Sequence, residues 1–353
     1  MASDLTGTRI AAEEAERQGK WPDASQLWDA FLESPKAGPW DRIRAIQAAI
    51  FAGRVDEAHE RIQVLNPPAG SDAVMALLRA EIAERRGPPS AAVECWRYAV
   101  GLQADPYWAR FGLARALHRI GHDDESRRIM AAALNSPTAE PRGAGFSAYL
   151  EMRGGRFADA DAVFQRFNFT HDERAKSILT WFPGMTSFDE RWALHQIGAS
   201  LAGAGHAVDL GCWLGSLTVA VALGLEQRSP SGSNRHSRIK AYDNFIWASR
   251  YMDEAWNAKF TVPPPRDGEV FLSTFEQLIE PWKQRIDVHQ ADLRTASWGG
   301  EPIKLLSIDA MKSPDISRQI IRQFFPSLIA GTSVVFHQDF CHGYTWWIHL
   351  FHF

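Results

Sequence analysis

The fold is decided by the stretch Val208-Asp209-Leu210-Gly211-Cys212-Trp213-Leu214-Gly215-Ser216-Leu217-Thr218. Its apolar beginning predicts a β-strand over 207–211. A turn with two glycines follows, and the apolar run 214–225 predicts a helix. Glycine lets a ligand approach the backbone closely, and the first turn of a helix offers unpaired N–H groups. The stretch therefore predicts a ligand site at a strand-to-helix turn.

The rest of the second half continues this alternation of short apolar runs and helical stretches. Strands are predicted at 239–243, 286–289, 303–309 and 332–337, with a helix at 317–328. Strands that alternate with helices indicate a parallel sheet and a Rossmann-like α/β domain. In such a sheet the ligand binds beyond the carboxyl ends of the strands. Acidic residues stand at or just after four of these ends, namely Asp209, Asp243, Asp309 and Asp339.

The first half contains an internal repeat with a period of 34 residues. The period is marked by Gly19, Gly53, Gly87, Gly121 and Gly155. A small residue follows each glycine by five positions and a large apolar residue by nine, which predicts a helix–turn–helix unit with glycine at positive φ in the turn. The pattern resembles the tetratricopeptide repeat family over about residues 5 to 170. That resemblance implies a solenoid whose concave surface binds a protein or peptide partner. The alternative is an array that only rigidifies or dimerises the protein.

Composition and charge exclude several classes of protein. The chain has 353 residues, of which 45% are hydrophobic and 23% charged, unlike a disordered, collagen-like or disulfide-scaffold protein. A net charge of −4 gives no electrostatic reason to expect a nucleic acid partner. The widely spaced Cys95, Cys212 and Cys341 form neither a metal-binding spacing nor a disulfide framework, so a reduced, cytoplasmic location is expected. The uncharged run 210–225 is short for a membrane span, and no membrane partner is predicted.

The glycine-containing turn resembles motif I of the class I S-adenosylmethionine-dependent methyltransferases. Trp213, between the glycines, is similar to the bulky residue of the macrocin-type sugar O-methyltransferases. The segments 184–194, 308–310 and 335–340 are similar to other parts of that branch, and the resemblance covers about residues 180 to 345.

The two resemblances together imply an α + α/β protein of two domains. They are an N-terminal all-α tetratricopeptide-like solenoid over 1–170 and a C-terminal Rossmann-like methyltransferase sheet over 171–353.

The methyltransferase resemblance implies a role for each matching residue. The residues that would line the methionine part of S-adenosylmethionine are Asp209, Gly211, Gly215 and Ser216. Asp243 would accept hydrogen bonds from the ribose hydroxyls. Asp292 would lie near the adenine amino group, with a plain helix N-cap as its alternative role.

The same resemblance makes Asp309 and Asp339 candidates for catalysis and for binding Mg²⁺. A pair of carboxylates suits this hard cation, which would lower the pKa of a coordinated hydroxyl so that His337 or Asp339 could take its proton. The sequence departs from the family pattern after Asp309, where Ala310-Met311-Lys312 lacks a second acid. Lys312 is therefore an alternative partner for a carboxylate.

The histidines near the end of the chain raise a separate question. A zinc site among His337, His342, His349 and His352 is an alternative to scattered histidines.

These expectations describe a cytoplasmic enzyme that methylates a hydroxyl of a sugar or another small molecule, with repeats that recruit a partner. The first alternative is a non-catalytic interaction scaffold with a degenerate methyltransferase-like domain. A nicotinamide oxidoreductase is the second, although G-x-G-x-x-G is absent, and a hydroxylase-like relative is the third. Because the family usually has two more strands after the fifth, the apolar run 344–353 suggests a chain truncated after the fifth strand.

Overall fold

The computed structural model describes residues 2–102, 106–201, 204–228, 238–260, 262–340 and 347–348. Contacts between residues divide the chain into two units, Met1–Ser147 and Ala148–Phe353. The first unit is helical and the second contains a five-stranded parallel sheet, which agrees with the expected α + α/β layout. Within the described ranges, no helix combines the length and apolar character that a membrane span needs.

The first unit consists of consecutive helices joined by short turns. Its helices are α1 (Ala2–Arg17), α2 (Trp21–Leu32), α3 (Pro39–Phe51), α4 (Val55–Val64), α5 (Asp72–Arg86), α6 (Pro89–Gly101), α7 (Tyr107–Arg119), α8 (Asp123–Leu134) and α9 (Pro141–Arg153). The division between the units falls inside α9, whereas the sequence placed a boundary at residue 170.

The turn glycines behave as predicted at all but one of the five repeat positions. Gly19, Gly53, Gly121 and Gly155 have φ between 69° and 83°, the left-handed region that favours glycine. Gly87 instead has φ −94° and ψ 175°. Pro88 follows it, and a residue before proline is pushed towards extended backbone. The expectation of positive φ at Gly87 was therefore wrong.

The residues in register with these glycines form the interior of the helix pairs. All of them are buried in the first unit: the small residues Ala24, Ala58, Ala92 and Ser126, the large residues Trp28, Ile62, Trp96 and Met130, and the preceding residues Ala12, Ile46, Ala80 and Ala114. The 34-residue period thus arises because each helix pair must bury the same three positions.

The second unit is built on five parallel strands in the order β3-β2-β1-β4-β5. They are β1 (His206–Leu210), β2 (Ile239–Asp243), β3 (Ile286–Gln290), β4 (Ile303–Ile308) and β5 (Val334–His337). Each pair of neighbours is parallel, and Asp209 of β1 lies opposite Ala241 of β2 and Ser307 of β4. All five predicted strands are confirmed to within two residues at either end.

Helices cover both faces of this sheet. They are α10 (Phe157–Arg166), α11 (His171–Trp181), α12 (Phe188–Ser200), α13 (Ser216–Arg228), α14 (Ser249–Asn257), α15 (Leu272–Leu278) and α16 (Pro314–Phe324). Because strand side chains alternate between faces, Ala207 and Leu305 pack in the core that contains α13. Val208 and Leu306 pack instead with Ile320 of α16.

Two helices begin or end away from their predicted positions. Helix α13 begins at Ser216 rather than Leu214, because residues 212–215 form a turn in which Gly215 N donates to Cys212 O at 2.7 Å. Helix α16 begins at Pro314, capped by Ser313, and ends at Phe324, so the predicted span of 317–328 was shifted. Proline is favoured in the first turn of a helix and Pro326 disfavours continuation, which accounts for both ends.

Helices α12 and α13 pack in unusually close contact through two glycines. A Cβ on Gly198 would lie 2.8 Å from Val221 O, and one on Gly224 would overlap the carbonyl oxygen of His195 and lie 2.7 Å from Ala199 N. These backbone atoms cannot move without separating the helices. The glycines therefore fix α13, whose first turn borders the strand ends, against α12.

We expect Gly224→Ala to lower the free energy of unfolding of the second unit by about 1–3 kcal/mol, because the added methyl forces the two helices apart. Urea unfolding followed by circular dichroism measures the change. Gly299→Ala is the control, since a Cβ there meets no atom within 4 Å, and it should change the value by less than about 0.5 kcal/mol. Equal effects of the two substitutions would contradict the packing argument.

Candidate functional site

The predicted acidic residues meet at one edge of the sheet. Asp209 and Asp243 lie in the last two positions of β1 and β2, while Asp309 and Asp339 follow β4 and β5. Backbone pairing continues beyond the strands, with Asp309 N donating to Leu210 O at 2.9 Å. Since β2, β1, β4 and β5 are neighbours in this order, the four carboxylates share the carboxyl edge of the sheet.

The glycine-containing loop after β1 lies across this edge in left-handed conformations. Gly211, Trp213 and Gly215 have φ of 82°, 44° and 92°. A Cβ on Gly211 would lie 2.8 Å from Asp309 O, so only glycine allows the loop to pass the end of β4. Trp213 N donates to Asp243 Oδ2 at 2.9 Å, which couples the loop to β2. The loop is thus held by the strand ends on both sides.

Asp243 accepts hydrogen bonds only from backbone groups among the described residues. Phe245 N donates to its Oδ1 at 2.8 Å, and Trp213 N donates to its Oδ2. Burial raises the pKa of Asp243, and the backbone N–H groups of Phe245, Trp213 and Asn244 act in the opposite direction. The two oxygens of a carboxylate can together accept about four hydrogen bonds, so Asp243 retains capacity for a ligand hydroxyl.

Asp209 is the most enclosed carboxyl group of the edge, with 2% of its surface exposed. Thr218 Oγ1 donates to its Oδ2 at 2.5 Å, and Oδ1 has no hydrogen-bond partner among the described residues. Burial, together with the negative charges of Asp309 and Asp243, raises its pKa to about 6, and the hydroxyl groups of Thr218 and Ser307 act in the opposite direction. An incompletely paired buried carboxylate is costly, so a ligand donor or cation would be favoured here.

Ser216, at the start of α13, contacts the segment that leads into α12. Its Oγ lies 3.2 Å from Thr186 Oγ1. A Cβ on Gly184 would lie 2.6 Å from Ser216 Oγ, so the segment 184–187 packs directly on the first turn of α13. This segment is the first part of 184–194, which resembles the entry helix of the methyltransferase branch, and it lies against the residue that follows the glycine-containing loop.

Arg191, a residue to which the sequence assigned no role, holds that segment in place. Its guanidinium donates to the carbonyl oxygens of Leu179 at 2.8 Å, Phe182 at 2.6 Å and Gly184 at 2.9 Å. It also donates to Thr186 Oγ1 at 2.9 Å. Burial lowers the pKa of Arg191 to about 10, so the side chain is charged at neutral pH.

Glu190 and Gln338 join the same segment to the end of β5. Glu190 Oε2 accepts from Ser187 N at 2.7 Å as part of a capping box, and its Oε1 accepts from Gln338 Nε2 at 2.9 Å. Gln338 N in turn donates to Ile308 O at 3.0 Å. Sequence reasoning missed this link because the two side chains are 148 positions apart.

Asp292 lies in a turn after β3 and is bound by Arg294, two positions later in the chain. Arg294 donates from Nε and Nη2 to the Asp292 carboxylate at 2.6–3.0 Å, and its backbone N donates at 2.9 Å. These bonds lower the pKa of Asp292. The residue starts no helix, so the N-cap alternative was wrong, and an adenine amino group would have to share this carboxylate with Arg294.

Asp309 and Asp339 are brought together as predicted, but around an ammonium group. Lys312 Nζ donates to Asp309 Oδ1 at 2.7 Å and to Asp339 Oδ2. Met311 occupies a place where a second acid was expected, and its Sδ lies 3.2 Å from His337 Nε2. Within the described residues, no group of three or more His, Cys, Asp or Glu could hold a metal ion.

The donor set around these carboxylates therefore does not fit Mg²⁺, which prefers several oxygen ligands. Cys341, His342, His349 and His352 lie outside the described residues, so the zinc alternative involves positions that the structure does not describe.

The edge as a whole carries four carboxyl groups and one ammonium group, so it favours a ligand with positive charge and with hydroxyl donors. Two N–H groups of the loop are already used, since Trp213 N binds Asp243 and Gly215 N binds Cys212 O. A pyrophosphate would find few donors and several negative charges.

In comparison with known proteins, no family model matches this chain and no curated protein matches it, so residues and geometry alone indicate a function.

Proposed function

We propose that the second unit binds S-adenosylmethionine and methylates a hydroxyl group of a sugar or another small molecule. The observation that carries this proposal is the acidic edge, where Asp209 keeps an unpaired oxygen and Asp243 keeps free acceptor capacity beside the glycine-containing loop. When bound, S-adenosylmethionine supplies an electrophilic methyl group on a positively charged sulfonium. A cationic ligand with a ribose diol matches this edge better than an anionic dinucleotide does.

The sheet topology supports a Rossmann-like assignment for this unit. Strand order reverses at β1, which lies between β2 and β4. In open α/β sheets, ligands bind at this switch point, beyond the carboxyl ends of the strands. The loop 211–215 and the four carboxyl groups occupy that position, which makes it the best candidate site in the described part of the chain.

The chain's own residues would perform three tasks. Asp243 accepts hydrogen bonds from the ribose hydroxyls, and Asp209 with residues 211–216 borders the methionine part. Arg191 keeps segment 184–187 against the start of α13 and thereby closes one side of the site. His337 or Asp339 takes the proton of the acceptor hydroxyl, and much of the rate would come from positioning the two reactants.

For the first unit, we propose a tetratricopeptide-like array that recruits a protein or peptide partner. The support is the repeated burial of the same positions in every helix pair and the 34-residue period. Its partner would be separate from the small-molecule acceptor of the second unit.

We expect S-adenosylmethionine to bind the protein with micromolar affinity and Asp243→Asn to weaken this binding by at least about tenfold, because the variant loses the charged acceptor for the ribose hydroxyls. Isothermal titration calorimetry measures both, with NAD as the competing ligand. Asp315→Asn is the matched control, since Asp315 pairs only with Arg318 among the described residues and is exposed.

Tighter binding of NAD than of S-adenosylmethionine would contradict the proposed function. Absence of binding by a wild-type sample with a cooperative unfolding transition would favour the non-catalytic scaffold instead. Unchanged affinity of the Asp243→Asn variant would show that the ligand lies elsewhere.

A further inference from the structure

We infer that the ammonium group of Lys312 is the resident cation of the acidic edge, taking the position between Asp309 and Asp339 where a divalent metal ion would otherwise bind. Lys312 would then hold both carboxylates and present its remaining N–H to an oxygen of the acceptor. This lysine bridge, which consists of Asp309, Lys312 and Asp339, is inferred from the geometry alone. Only the identity of the acceptor rests on the proposed function.

The local backbone places Lys312 for this task. Lys312 N donates to Ala310 O at 2.7 Å, which folds the chain back directly after β4. Ser313 then caps α16, so the residue is fixed between a strand and a helix. Its side chain reaches Asp309 three positions earlier and Asp339 twenty-seven positions later. The ammonium thus ties the end of β4 to the end of β5.

Exposure distinguishes the three members of this bridge. The side chains of Asp309 and Asp339 are 24% and 16% exposed, whereas that of Lys312 is 54% exposed. The ammonium therefore covers the carboxylates on the solvent side. It has three N–H donors, two of which are used within the described residues, and the third remains for an oxygen atom of a bound molecule.

The ammonium group of Lys312 occupies the oxygens that a divalent ion would need, Asp309 Oδ1 and Asp339 Oδ2. A divalent ion would have to displace this charged group, because both would compete for the same two oxygens. It would also meet the thioether of Met311, a soft ligand that Mg²⁺ and Mn²⁺ do not favour.

The test is a titration of the full chain with Mn²⁺, followed by electron paramagnetic resonance and calorimetry. Wild type is expected to show no saturable site in the millimolar range. Lys312→Ala removes the ammonium from both carboxylates and should bind Mn²⁺ at least about tenfold more tightly. Adding Asp309→Asn to that variant should remove the gain, and Lys312→Arg should behave as wild type because it keeps the charge.

Lys283→Ala is the matched control, since Lys283 also pairs with an acid three positions away, Glu280, but releases a single exposed carboxylate. It should bind Mn²⁺ no better than wild type. If Lys312→Ala does not fold, Lys312→Gln gives the same comparison with a neutral amide in place of the ammonium. Equal Mn²⁺ affinity of wild type and a folded Lys312 variant would overturn the inference.

Methyl transfer offers an independent readout. Once an acceptor is found, activity of the wild type should resist EDTA, and Lys312→Ala should lose activity that Mn²⁺ partly restores. If S-adenosylmethionine does not bind but Lys312→Ala binds Mn²⁺ more tightly than wild type, the proposed function is contradicted and the lysine bridge is supported. Wild-type activity that EDTA abolishes and Mn²⁺ restores would overturn the bridge even with S-adenosylmethionine bound.

Discussion

Arg191→Met is expected to lower the free energy of unfolding of the second unit by about 3–5 kcal/mol. The substitution fills a similar volume but leaves the carbonyl oxygens of Leu179, Phe182 and Gly184 without their donors. Each unsatisfied buried acceptor costs about 1–3 kcal/mol, although the losses do not add fully. An effect of this size would make Arg191 one of the most sensitive positions of the unit.

Chemical unfolding of the full chain measures this change, and Arg318→Met serves as the control. Arg318 is half-exposed and pairs with Asp315 on the surface, so its loss should cost less than about 1 kcal/mol. Arg191→Lys should recover only part of the stability, because an ammonium has three donors and cannot span the four acceptors of the guanidinium. A loss below 1 kcal/mol for Arg191→Met would show that the segment 184–187 is held by other contacts.

Asp209→Asn is expected to stabilise the second unit by about 1–3 kcal/mol at pH 7.5 and to weaken ligand binding. The pKa of Asp209 is raised from 3.8 to about 6 by burial, so this group stabilises the fold below pH 3.8 and the contribution is lost as pH rises through 6. Keeping the charge above pH 6 therefore costs about 3 kcal/mol. Asparagine removes that cost, and its carbonyl oxygen can still accept from Thr218.

The difference in stability between variant and wild type should be largest above pH 6 and shrink towards pH 4. Urea unfolding at half-unit pH steps tests this profile. His195 is fully buried and its pKa is lowered to about 4, so wild type also loses stability as pH falls from 6.5 to 4. That loss occurs in both proteins and cancels in the difference. A difference independent of pH would mean that Asp209 does not titrate in this range.

The sheet could be predicted from the sequence because its strands are short apolar runs separated by polar turns. Residues 239–243 were predicted as a strand and form β2 with the same bounds. The shared edge of Asp209, Asp243, Asp309 and Asp339 followed from one rule, that parallel strands end on the same side. Local patterns and topology were sufficient for these features.

The contacts that complete the site could not be predicted in this way. Gln338 binds Glu190, and Lys312 bridges Asp309 and Asp339, through side chains whose partners are distant in sequence. Arg191 binds backbone carbonyl oxygens. Because every residue has one, the sequence does not indicate which of them a side chain will bind. Lys312 is the exception, because its place three positions after Asp309 indicated a partner for a carboxylate. It was the alternative to Mg²⁺ as the partner of the acidic pair.

The central position of β1 has a consequence for synthesis of the protein. One neighbour, β2, follows after a short delay, but the other, β4, begins at residue 303, about 93 residues after β1 ends at residue 210. At about 5–20 residues per second, the ribosome needs roughly 5–20 s to make this stretch. During that time one edge of the nascent β1 lacks its partner and exposes backbone groups that attract other strands. Slower translation between the two strands would prolong this interval and increase the demand for chaperones.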